Sequence, residues 1–106
     1  MLTNEKVLKI FKGYLDEDQA LDVISTRRGY AVMLWDSAQQ DWSNVECCQT
    51  PEILFDKLLD SFVCYQEYLM FLAKRSREDE INETERAQIQ KMCLPFLEER
   101  EKAEAK

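Results

Sequence analysis

Apolar residues recur at helical spacing from the first turn of the chain: Val7, Leu8, Ile10, Phe11, Tyr14 and Leu15. Thr3 stands where an N-cap would, and Glu5 suits the positive end of the helix dipole. Leu2 and Val7 occupy the two positions of a hydrophobic staple. The pattern predicts one helix, weakened at Gly13 and stopped by the acidic run Asp16-Glu17-Asp18.

The periodicity then changes to two. Residues 21–26, 30–36 and 41–48 are rich in β-branched and aromatic side chains and predict three strands joined by short loops. Arg27-Arg28-Gly29 reads as a three-residue hairpin loop, with glycine supplying the positive φ. That loop pairs Thr26 with Tyr30 and Ile24 with Val32. A four-residue loop, Ser37 to Gln40, pairs Trp35 with Trp42. In this register the cleaner core face carries Ile24, Tyr30, Val32, Leu34, Val45 and Cys47. The opposite face carries Leu21, Val23, Ala31, Met33, Trp35, Trp42, Asn44, Glu46 and Cys48. A slip of one residue in the first loop would exchange the faces of the first strand.

Thr50-Pro51-Glu52 is a helix start: a cap, a proline at the first helical position and an acid in the first turn. Phe55, Leu58, Leu59, Phe62, Tyr65, Leu69 and Leu72 follow as a broad stripe that should lie across the sheet. Ile53, Cys64 and Phe71 project from the other side and predict a helix buried on two sides. "SREDE", residues 76–80, reads as a turn. Asn82 and Glu85 form a capping pair for a last helix with a narrower stripe of Ile89, Met92, Cys93, Phe96 and Leu97. Pro95 should kink that helix or begin a new one. Residues 98–106 read as a charged, solvated helical end. The elements fall in the order αβββαα, a small α+β domain covering residues 1–106, with a three-stranded antiparallel meander packed against helices.

With 106 residues and 45% hydrophobic composition, the chain can fill one modest core. Its formal net charge of −7 is spread over both halves, which disfavours direct nucleic-acid binding because phosphates require a positive field. No basic, then apolar, leader follows Met1, and no apolar run approaches the ~20 residues of a membrane span. A cytoplasmic protein with reduced thiols and no membrane attachment is expected.

The chain contains no histidine. The commonest general base and metal ligand are therefore missing, as is every Ser-His or Cys-His dyad. Its two glycines cannot build a phosphate loop. Cys47, Cys48, Cys64 and Cys93 lack paired zinc-knuckle spacing, and neighbouring strand residues point to opposite faces, so no metal and no cofactor is expected. Cys48, just ahead of a helix N-terminus that would lower a thiol pKa, is the candidate reactive thiol. The acidic runs at residues 16–18 and 78–80 read as solvated.

Trp35, Trp42 and Met33 form the candidate interface: either another helix covers them or they present an aromatic patch to a partner. Arg27 and Arg28 at the hairpin tip are candidate rim contacts. "MLTNEKVL", "RGYAVMLWD" and "TPEILFDKLLD" together loosely resemble short uncharacterised proteins of mobile elements and genomes of Gram-positive gut bacteria. The resemblance spans most of residues 1–72 and weakens over the charged tail. It implies a bacterial cytoplasmic setting and a mobile-element origin; that group has no established activity, so it implies no site residue. The expected function is a non-enzymatic interaction or regulatory domain that binds a protein partner or itself as a homodimer. The alternatives are an acidic inhibitor occupying a nucleic-acid-binding site on a partner, and a redox protein using Cys47 or Cys48.

Overall fold

Thr3 caps the chain's first helix, its side-chain oxygen accepting from the Lys6 amide at 3.2 Å. In the computed structural model, which describes residues 1–73 and 81–105, two short helices replace the single one expected: α1 (Asn4–Ile10) and α2 (Lys12–Glu17). They part at Phe11, whose backbone relaxes to φ −95°, ψ 8° while hydrogen bonds run across it from Phe11 N–H to Val7 and from Leu15 N–H to Phe11. Strands β1 (Leu21–Thr26), β2 (Gly29–Asp36) and β3 (Asp41–Cys48) follow, then helices α3 (Pro51–Ala73) and α4 (Glu83–Glu104). The fold is α+β, with an antiparallel sheet in the order β1-β2-β3. The turn expected at residues 76–80 lies outside the described residues.

The second hairpin has the expected register, Trp35 opposite Trp42 and Asp36 opposite Asp41. The first does not. Thr26 pairs with Gly29, leaving only Arg27 and Arg28 in the loop, so Val23 faces Val32 and Leu21 faces Leu34. Gly29 permits this with φ +116°; a Cβ at that position would collide with the Cys48 carbonyl oxygen. A second shift lies in β3. Val32 pairs with Glu46 but Leu34 with Ser43, so Asn44 and Val45 together stand opposite Met33. This is a β-bulge, made by Asn44 at φ +52°, a left-handed conformation that asparagine tolerates better than most residues.

Each one-residue shift reverses the faces beyond it. The inner face therefore carries Leu21, Val23, Tyr30, Val32, Leu34 and Cys48. Ile24 and Cys47, expected inside, lie outside. Leu21, Val23 and Cys48, expected beside the tryptophans, are inside.

Against the inner face the helices assemble a largely aromatic core. Phe11 is fully buried, stacked on Phe96 at 4.6 Å between centroids and tilted against Phe55 at 5.2 Å. Phe62 meets Phe96 and Tyr14 edge-on at 4.7 and 5.4 Å. On α3 the buried row is Leu54, Phe55, Leu58, Phe62 and Gln66. Leu72 is exposed, and so are Ile53, Cys64 and Phe71, so α3 is buried on one side rather than two. The α4 stripe narrows to Ile89, Cys93 and Phe96, with Met92 and Leu97 exposed.

The capping box at α4 has both hydrogen bonds, Glu85 N–H to Asn82 Oδ1 at 2.8 Å and Asn82 N–H to Glu85 Oε1 at 3.2 Å. The helix runs unbroken through Pro95. Its charged end is mostly exposed, as expected, but is anchored at Arg100 and Ala103. Arg100 lies 4.7 Å from the Phe55 ring centroid and pairs with Glu104 at 2.7 Å and Asp56 at 3.4 Å. The Ala103 carbonyl accepts from the Met1 amine and from Lys6 Nζ. No helix among the described residues is long and apolar enough to cross a membrane.

Candidate functional site

The outer face of the sheet is turned away from the core: Ala31, Met33, Trp35 and Trp42 stand outside the hydrophobic cluster that the helices build. Trp35 and Trp42 stand side by side there, ring centroids 5.0 Å apart and planes at 69°, each about two-fifths exposed (37% and 41%). Edge-to-face geometry of this kind is the arrangement aromatic quadrupoles favour. Met33 and Ala31 continue the row along β2 and are nearly buried, at 9% and 7%. Ile24, opposite Ala31 on β1, and Cys47, opposite it on β3, are exposed. The face is thus an apolar strip with a screened centre and an open rim.

Local structure fixes the tryptophan end. Asp36 Oδ1 accepts from Ala38 N–H at 3.0 Å and Gln39 N–H at 3.2 Å, closing the second hairpin, and Gln40 takes φ +54° to complete it. The Trp35 amide donates to the Ala20 carbonyl at 2.8 Å, tying β2 to the segment before β1.

The structure brings Trp35, Trp42 and Met33 together. It does not bring Arg27 and Arg28 to them. Those side chains are exposed at the opposite end of β2, roughly 20 Å away at ~3.3 Å per residue. Ile24 and Cys47 take the place of the expected rim. Their membership depends on the two register shifts, and the only sequence signals were Gly29 after two arginines and an asparagine within a strand.

No protein-family model, curated protein or solved structure matches the chain.

The thiols sort by burial. Cys48 is fully buried and its pKa is raised, by desolvation first and then by the neighbouring Glu46 and Cys47 charges, with Lys57 opposing. This reverses the expectation of an activated thiol at Cys48. The helix N-terminus behind it is occupied, because Thr50 Oγ1 already accepts from the Ile53 amide at 3.2 Å. Burial likewise raises the Cys93 thiol. Cys47 and Cys64 are exposed. Among the described residues, no cluster of three or more Cys, Asp or Glu converges on a metal position.

In the acidic run at residues 16–18, Asp16 and Glu17 are exposed as expected, but Asp18 is buried. Asp18 is 8% exposed, accepting from the Tyr14 hydroxyl at 2.7 Å and from the Ala20 amide at 3.3 Å. The i, i+4 spacing of Tyr14 and Asp18 was the available signal.

Proposed function

We propose that this chain is a non-enzymatic protein-interaction domain that docks through the outer face of its sheet. The observation that carries this reading is the pairing of two exposed tryptophans, Trp35 and Trp42, beside Met33 on the sheet face turned away from the core. Clustered tryptophans with a screened apolar centre are what binding hot spots are made of. The partner is a protein surface with a complementary apolar patch, a second copy of the chain being the first case to test. The resemblance to mobile-element proteins of Gram-positive bacteria sets the interaction in a bacterial cytoplasm.

The acidic-inhibitor reading draws less support. Part of the acidic charge that it would need is matched within the chain, Glu46 by Lys57 and Asp56 and Glu104 by Arg100. Sedimentation velocity and capture from cytoplasmic extract, comparing wild type with Trp35→Ala and Trp42→Ala, test the proposal. Each substitution should weaken self-association or capture about 30-fold, the effect of losing a ~2 kcal/mol hot spot. A monomeric wild type whose captured partners are the same in both variants would sink it.

A further inference from the structure

A cleft of 670 Å³ lies on the other side of the sheet, where the inner face, α2 and α3 diverge. Its size falls within the ~300–1,000 Å³ of small-molecule sites. Tyr14, Tyr65 and Tyr68 line it, with the Tyr14 and Tyr65 ring centroids 5.6 Å apart. Tyr68 is exposed at 57% and stands at the open side.

The charges lining this cleft do not balance. Glu46 is matched by Lys57 at 3.5 Å. Asp18 and Asp60 also line the cleft, and neither has a basic side chain within salt-bridge distance among the described residues. Asp18 is the telling one. It is nine-tenths buried and held by two neutral donors, a hydroxyl and an amide, with no counter-charge. Burying a carboxylate without a cation is costly, so a position of this kind favours the arrival of one. The negative potential is also felt by the Tyr65 phenol, whose pKa is raised by desolvation and then by Glu17 and Asp18.

Aromatic faces and unbalanced carboxylates together select a particular chemistry. A hard metal ion would need several oxygen ligands at once, and no such cluster forms among the described residues. A soft, weakly hydrated cation bearing methyl or methylene groups satisfies both features, with the rings against its carbon and the carboxylates against its charge. We propose that this cleft binds an alkylammonium group, with Tyr65 and Tyr68 as aromatic walls and Asp18 and Asp60 as counter-charges. The group can arrive as a free ion or on a methylated lysine of a partner; both present the same chemistry.

Titration of the full chain, followed by amide NMR shifts and calorimetry, tests this. The probes are choline, its neutral carbon isostere, and a short peptide carrying one trimethyllysine. Choline or the peptide should bind saturably, shifting amides around Asp18 and Tyr65, and at least tenfold tighter than the isostere. Tighter binding of the peptide identifies a partner-borne group, and tighter binding of choline a free ion. Tyr68→Ala should weaken binding about fivefold, the usual worth of one cation–aromatic contact, and Asp18→Asn at least tenfold. Asp18 also supports the fold, so Asp60→Asn, an exposed position, is the companion variant and should weaken binding severalfold. No saturable shift with either cation, equal binding of the isostere, or unchanged affinity in both Tyr68→Ala and Asp60→Asn overturns the proposal.

Discussion

Truncating Phe11 to alanine tests the core most directly, because that ring joins three helices. It is fully buried, stacks on Phe96 of α4 and tilts against Phe55 of α3. An aromatic side chain buries on the order of 150 Å² or more, and at about 25 cal/mol per Å² its removal costs about 4 kcal/mol. That agrees with the ~3–5 kcal/mol measured for Phe-to-Ala changes in other cores. Loss of the two ring pairs adds about 1 kcal/mol. A domain of this length has roughly 5–15 kcal/mol in total, so the variant should be folded marginally or not at all. Phe11→Leu separates volume from ring geometry: most of the apolar area returns, the ring pairs do not, and the expected cost is about 1–2 kcal/mol. Urea unfolding followed by tryptophan fluorescence and far-UV circular dichroism reads both variants. A cost below about 1.5 kcal/mol for Phe11→Ala, or equal costs for the two substitutions, would refute the packing described.

Three further outcomes follow from the first hairpin and from the thiols. Gly29→Ala should destabilise by about 2–4 kcal/mol, since it adds left-handed strain to a collision with the Cys48 carbonyl; thermal unfolding at wild-type stability would contradict the two-residue loop. In native protein, alkylation should reach Cys47 and Cys64 quickly and Cys48 and Cys93 only after unfolding, as read by peptide mass spectrometry. Because folding raises the Cys48 and Cys93 thiols, the neutral form is the one the native state favours. Their contribution is therefore complete below the ordinary thiol pKa of about 8.5 and declines as pH rises through the higher folded values. Cys48→Ala should flatten that alkaline decline, and an unchanged slope would count against burial as its cause.

Helix starts were legible because caps are local. Thr3, Thr50-Pro51 and Asn82–Glu85 each satisfy amides within three or four residues, and all three helices begin where those signals place them. The tryptophan pair was legible for the same reason, a four-residue loop of ordinary geometry. The face assignments were not. They depended on whether Gly29 closed a two- or a three-residue loop and on one asparagine turning left-handed within β3. Both are decided by what the side chains gain in the assembled core, which places Val32, Leu21 and Cys48 together. The anchor of the tail was hidden by composition: Arg100 reads as solvent-facing charge until Phe55 and Asp56 are placed beside it. The cleft was hidden in the same way, since Asp18 sits in an acidic run yet is nearly buried.

The bulge at Asn44 reaches further than the strand it bends. Parity along β3 is counted from the second hairpin, and a single surplus residue inverts it for everything downstream. Two chemically identical thiols, adjacent in the chain, thereby receive opposite fates: Cys48 is sealed in the core and Cys47 is left open to oxidants and alkylating agents. A strand that kept residue 44 but paired it regularly with Met33 would bring Cys47 opposite Tyr30 and trade the two places, changing which sulfur is vulnerable without altering either cysteine. Redox exposure in this molecule is thus written in a backbone angle four residues away from the sulfur it protects.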